Sequence, residues 1–170
     1  MVTEIPKAEC EALVALYNST FGPYWKRRDG WLATYTPCSW YGVWCEGGHV
    51  TDVDLRYNHL RGSIPSGLDS LTNLTWLSFQ GNELTGSIPS SLGNLSDLEW
   101  LDLVVNQLTG GIPSSLGNLS HLRGLLLGSN QLSGGIPSSL GNLSNLKEMM
   151  LWSNLLSGSI HSSLGELSKL

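Results

Sequence analysis

Asn58, Asn82, Asn106, Asn130 and Asn154 stand 24 residues apart without exception, and this period constrains the fold more than any other feature of the chain. Around each the same frame returns. It reads in full as Leu98-x-x-Leu101-x-Leu103-x-x-Asn106-x-Leu108-x-Gly110-x-Ile112-Pro113, followed by Leu116-Gly117-Asn118-Leu119. Five copies begin near His49, Asn73, Asp97, His121 and Asn145. No single copy can bury its own leucines, so stability must come from stacking one copy on the next, in a quasi-one-dimensional array.

Each element of the frame has a physical reason. Leu101 and Leu103 alternate with polar positions and so point inward from a short strand. Stacked copies of that strand make one parallel sheet. The asparagine that ends each strand sits where the chain turns inward. Its amide both donates and accepts, so the five form a ladder serving buried turn backbone. The Gly-x-Ile-Pro step is extended, because the residue before proline is pushed out of the helical region. Ser-Ser-Leu-Gly-Asn-Leu reads as one short helical turn, with its glycine expected in the left-handed conformation that ends it.

Composition narrows the function. The net charge of −5 and the lack of a basic stripe argue against a nucleic-acid partner, and Lys26-Arg27-Arg28 reads as a solvated turn. No apolar run is long enough to cross a membrane, and the opening Met1–Pro6 segment has no secretory character. Enzyme fingerprints are absent: there is no Gly-x-Ser-x-Gly elbow, His-Glu-x-x-His or phosphate loop. The four histidines are scattered, and no metal site or cofactor is expected. Asp52, Asp54 and Asp102 are expected to be exposed on the sheet, where nothing would set their ionisation apart. The expectation is a binding protein rather than an enzyme.

The motif Leu84-Thr85-Gly86-Ser87-Ile88-Pro89, repeated in neighbouring copies, resembles the plant-type leucine-rich repeats of receptor-kinase ectodomains and polygalacturonase-inhibiting proteins. The segment before the repeats is similar to their N-terminal cap. It comprises an amphipathic Ala12–Tyr17 stretch, then Trp25, Gly30-Trp31 and Pro37-Cys38-Ser39-Trp40-Tyr41-Gly42-Val43-Trp44-Cys45. Tyr17-Asn18-x-Thr20 and Gly30-Trp31 resemble the microbial and algal versions. The resemblance implies an α/β solenoid: a right-handed leucine-rich-repeat superhelix with a parallel concave β-sheet, a second short sheet beside it and an N-terminal helical cap. Residues 1–48 would form the cap, and 49–170 the five repeats with no clear C-terminal cap. Trp25, Trp31, Trp40 and Trp44 are expected to form the core of the cap.

The resemblance also implies a cap disulfide between Cys38 and Cys45, with Cys10 left over as a free or buried thiol, and hence a secreted or cell-surface protein. Five Asn-x-Ser/Thr triplets agree with secretion, at Asn18, Asn73, Asn94, Asn118 and Asn142. The last three occupy one repeat position, so the repeat by itself supplies their triplet.

What distinguishes this array from any other is the outward side of its sheet. Down the stack, the third position of the frame holds Asp52, Trp76, Trp100, Gly124 and Glu148, and the fifth holds Asp54, Ser78, Asp102, Leu126 and Met150. The seventh holds Arg56, Gln80, Val104, Gly128 and Trp152. Strands stack about 4.8 Å apart, so Trp76 and Trp100 should be neighbours, with Val104, Val105, Leu126, Met150 and Trp152 extending an apolar patch. A sheet packed on one side should be polar there, and apolar patches with tryptophan anchors mark binding surfaces. The leading expectation is a protein or peptide ligand on the concave face, held by Trp76, Trp100, Asp102, Val104, Leu126, Met150 and Trp152. The alternative is an ice- or polysaccharide-binding stress protein using the regular rows Thr85/Thr109/Ser133/Ser157 and Ser90/Ser114/Ser138/Ser162. The last repeat decays, with His161 in place of proline and Glu166 in place of asparagine, and self-association through that end is a further expectation.

Overall fold

A computed structural model describes residues 4–170; residues 1–3, the start of the segment without secretory character, lie outside it. One α-helix, α1 (Lys7–Ser19), precedes ten short strands. These are β1 (Val43–Glu46), β2 (His49–Asp54), β3 (Arg61–Ser63), β4 (Trp76–Ser78) and β5 (Glu83–Thr85). The others are β6 (Trp100–Asp102), β7 (Gly124–Leu126), β8 (Ser133–Gly134), β9 (Glu148–Met150) and β10 (Leu155–Leu156). The main sheet runs β1-β2-β4-β6-β7-β9, parallel throughout except for the antiparallel β1–β2 pair. Shorter ladders β3–β5 and β8–β10 flank it, with a single bridge from Ser87 to Thr109 between them. The opposite wall is a stack of five-residue 3-10 turns at Ser66–Ser70, Ser90–Asn94, Ser114–Asn118, Ser138–Asn142 and Ser162–Glu166. This is the α/β solenoid with a concave parallel sheet that the period implied.

The asparagine ladder closes as its chemistry requires. Asn82 Oδ1 accepts from the backbone N–H groups of Asn58 and Leu60, each at 3.0 Å, while its amide donates to the Leu55 and Phe79 carbonyls. Asn106 and Asn130 keep the two donated bonds but accept from one N–H each, that of Leu84 or Leu108, while the N–H groups of Asn82 and Asn106 go to the Val105 and Ser129 carbonyls. Asn58 has no repeat before it, and the loop at Lys26-Arg27-Arg28 takes that place: Arg27 N–H donates to Asn58 Oδ1 at 2.7 Å and Arg27 C=O accepts from its amide. The basic turn is therefore a structural plug, with the Arg27 guanidinium 3.9 Å above the Tyr41 ring.

Two expectations are corrected. The glycines of the helical turns (Gly93, Gly117, Gly141) do not have positive φ; the left-handed glycines are those of the Leu-x-Gly step, such as Gly86 and Gly110. What makes Gly117 a glycine is close approach: a Cβ there would lie 2.3 Å from the Ser139 carbonyl oxygen of the next repeat. The residue before each ladder asparagine is also left-handed, at Tyr57, Gly81, Val105, Ser129 and Ser153. For the β-branched Val105, at φ +58°, that conformation is strained.

The second correction concerns the cap. Trp25, Trp31 and Trp40 are buried and mutually packed, and their indole N–H groups donate to Thr20 C=O, Tyr41 C=O and Thr34 Oγ1. Trp44 is not among them; it is 52% exposed. It lies on β1 between the buried Val43 and the disulfide-bonded Cys45, so alternation along the strand turns it outward. The disulfide joins Cys38 to Cys45, and Cys10 is a half-buried free thiol in α1. Helix and sheet are tied by Glu9, 2% exposed, which accepts from Val50 N–H and pairs with His49 Nδ1 at 2.6 Å.

Candidate functional site

The outward side of the main sheet is ordered into rows by strand register. One row runs Trp44, Asp52, Trp76, Trp100, Gly124 and Glu148 from β1 to β9. The next runs Asp54, Ser78, Asp102, Leu126 and Met150. Trp76 and Trp100 stack with ring centroids 5.3 Å apart and planes 3° from parallel, both partly exposed. The expected neighbours are thus joined into one aromatic face.

Large rings on this face are seated on glycines of the adjoining repeat. A Cβ on Gly124 would fall 2.6 Å from the Trp100 indole, and one on Gly128 2.7 Å from that of Trp152. Trp100 leans toward the following strand and Trp152 back over the preceding repeat, with Leu126 lying in the strand between those glycines. Trp152 remains 52% exposed and Met150 partly exposed. Val104 and Leu126 are different from what their place on the outward side suggested: they are 5% and 8% exposed and form the floor rather than the rim. On a concave sheet neighbouring rows lean together, and small side chains are covered by large ones.

Asp102 departs further, being 5% exposed rather than open to solvent. Its carboxylate accepts from Ser78 Oγ and from Val104 N–H, each at 3.1 Å. Desolvation raises its pKa, opposed by those two hydrogen bonds and by Arg56, while Asp54 adds to the rise. The folded state therefore binds this proton more tightly than the unfolded chain does. The stability Asp102 contributes is fully present below the unfolded value and is lost as pH rises through the folded one. Asp102→Asn keeps both hydrogen bonds, since an amide oxygen can accept from Val104 and an amide nitrogen can donate to Ser78. We expect its urea midpoint to move above that of the native chain as pH is raised from 3 to 7. A midpoint difference independent of pH would show that the buried charge carries no cost.

At the β1 end of the sheet, Trp44, Asp52, Asp54 and Trp76 line an open cleft of about 300 Å³. Arg56 Nε and Nη2 hold both oxygens of Asp54, at 2.8, 3.0 and 2.6 Å. Trp44 is the residue of this face that sequence reasoning missed. Its signal was present in the alternation Val43-Trp44-Cys45, but its membership of the tryptophan-rich cap concealed it. The polar rows also lie on the surface: Thr85, Thr109, Ser133, Ser157, Ser90, Ser114, Ser138 and Ser162 are all exposed. The threonine-led row follows the side ladder, whose backbone hydrogen bonds continue from repeat to repeat: Thr109 N–H and Ser133 N–H donate to the Gly86 and Gly110 carbonyls at 2.8 Å, and Ser157 N–H to that of Gly134 at 2.9 Å. The serine row opens the 3-10 turns instead. Asn18, Asn73, Asn94, Asn118 and Asn142 are exposed and none lies in the main sheet. Among the described residues no cluster of His, Cys, Asp and Glu could hold a metal, and no helix is long and apolar enough to cross a membrane.

Residues 48–108 and 121–143 match the leucine-rich-repeat family. Among solved structures, the chain is 36% identical to a chain of the BIR3–SERK2 complex from Arabidopsis thaliana, with a TM-score of 0.79 over 90% of this chain and 85% of that one. It is 32% identical to the BIR2 ectodomain of the same plant, at a TM-score of 0.84 over 94% and 85% of the two chains. The ectodomain of the Arabidopsis receptor kinase HAESA, solved with a peptide hormone ligand, is 34% identical at a TM-score of 0.73, over 95% of this chain and 32% of that one.

Proposed function

Because the chain belongs to the leucine-rich-repeat family in its plant-type form, we propose that it is a non-catalytic recognition module, secreted or at the cell surface, that binds a protein or peptide on its concave face. The observation that carries this reading is the stacked, partly exposed Trp76–Trp100 pair, set on the outward side of a sheet, where polar side chains are the ordinary case. Trp76, Trp100 and Trp152 are the anchors; Asp102, Val104, Leu126 and Met150 form the floor and walls between them. Such aromatic anchors dominate interface energies, and the flat indole pair offers a large apolar area already held in place by stacking. The similar ectodomains support the class of partner, one in a complex with another protein and one with a peptide hormone. The ice or polysaccharide reading has weaker support, since exposed Ser and Thr side chains on turns and edges are ordinary solvated surface.

Selection of a random peptide library displayed on phage against the immobilised chain tests the reading. Peptides enriched on the native chain should bind Trp76→Ala/Trp100→Ala roughly a hundredfold more weakly, from about 1–2 kcal/mol per anchor. Both rings lie on the surface and the double variant should keep its circular dichroism. Selected peptides that bind it as tightly as the native chain would overturn the concave-face assignment.

A further inference from the structure

We propose that the cleft between Trp44 and Trp76 is a subsite for a cationic side chain, arginine above all, of the bound partner; the inference rests on the concave-face reading and adds a chemical class of ligand to it. The row register carries the argument. Trp44 and Trp76 are each paired to Asp52, one from either side, so the two indoles flank it at two strand spacings, about 9.6 Å. Trp76 and Trp100, one spacing apart, are already in stacking contact at 5.3 Å. The interval on the Trp44 side is therefore the one that is open, and it coincides with the cleft of about 300 Å³.

What fits an interval of that width between two rings is a planar or compact cation. Midway it would lie about 4.8 Å from each ring, inside the roughly 6 Å reach of a cation–π contact. The floor has the matching charge. Among the described residues, the Asp52 carboxylate has no hydrogen bond or ion pair, whereas that of Asp54 is occupied by Arg56. With Asp102 also present in the neighbouring row, Arg56 leaves the cluster net negative. Arginine suits the place better than lysine, because a guanidinium stacks on aromatic faces while its edge donates to a carboxylate. Trp44, 52% exposed, forms the outer wall of this open cleft.

The indole N–H resonances of the seven tryptophans give a direct test. N-acetyl-arginine amide is titrated into the 15N-labelled chain, with N-acetyl-citrulline amide as the neutral isostere. The arginine probe should shift the Trp44 and Trp76 signals saturably at millimolar concentration and leave Trp152 unmoved; citrulline should not. Trp44→Ala and Asp52→Asn should each weaken the arginine response by about fivefold or more. Equal responses to both probes, or no saturable arginine shift at Trp44 and Trp76, overturn the proposal. The two readings fail separately. Selected peptides that depend on Trp100 but bind Trp44→Ala unchanged would sink the cation subsite alone. Arginine-specific shifts together with peptides indifferent to Trp76→Ala/Trp100→Ala would sink the concave-face reading alone.

Discussion

Asn106→Ala should lower the stability of the array by about 3–5 kcal/mol, while the same change at Asn154 should cost about 1–2 kcal/mol. The difference follows from position in the ladder. Asn106 is buried, and its Oδ1 is the acceptor for the buried Leu84 N–H at 3.0 Å. Truncation leaves that donor without a partner in a place water cannot reach, at about 1–3 kcal/mol. The Phe79 and Leu103 carbonyls lose a donor as well, at 3.0 and 3.1 Å, although each keeps a second one from Asn82 or Asn130. A cavity the size of an amide adds to the loss. Asn154 makes the same contacts to Leu132, Leu127 and Leu151 but is only half-buried, so water can replace it. Since a domain has about 5–15 kcal/mol in all, the interior change uses a large part of it.

The shape of the unfolding curve carries further information. Stability in a stacked array is nearly a sum over repeats and their interfaces, so a lesion at Asn106 weakens the coupling between its two halves. The urea transition of Asn106→Ala should become broader, with a lower apparent m, whereas that of Asn154→Ala should shift without broadening. Equal losses for the two variants would show that burial of the ladder is not what makes it matter.

How much of this was legible in the sequence depends on what each residue answers to. The strands, the ladder and the stacking direction follow from a period of 24 residues because every copy must satisfy the same backbone in the same way. Asp102 was misplaced because burial on a concave face is decided by the neighbouring rows, which a single column does not show. The same is true of Val104 and Leu126, buried where a flat sheet would expose them. Trp44 was assigned to the cap core by composition, whereas its direction is set by alternation along β1. The seating of Trp100 on Gly124 and of Trp152 on Gly128 joins residues from adjacent copies, so it becomes readable only once the register is known. The candidate site reads in the sequence, in outline, as a departure from the repeat; its depth and its acidic aromatic edge depend on the packing.

The glycine of each helical turn gives the second large effect, and it separates the two physical readings of that residue. If Gly117 served the left-handed conformation, alanine there would meet only backbone strain, and Gly165 at the equivalent place would respond alike. In the structure neither has positive φ, and the constraint is the next repeat. A Cβ on Gly117 would stand 2.3 Å from Ser139 O, 2.7 Å from its carbonyl carbon and 2.8 Å from its Cβ. Two of those three atoms are backbone, which cannot rotate away, so the repeats must separate. Gly141 is nearly as tight, with Ser163 atoms at 2.7 Å, and Gly165 meets nothing within 4 Å. The first turn shows that one interface can accommodate a side chain, since Asp69 holds this position and accepts from Asn94 Nδ2 at 3.1 Å. Gly117→Ala should therefore fold with its stacking loosened, losing about 3 kcal/mol or more through overpacking between two well-fitted turns. Gly165→Ala should instead gain about 0.4–1 kcal/mol, because alanine restricts the unfolded chain and nothing in the folded state opposes it. Thermal or urea unfolding of the two variants measures the opposition of sign directly. Destabilisation of both to a similar extent would return the glycine to a conformational role and contradict the packing account.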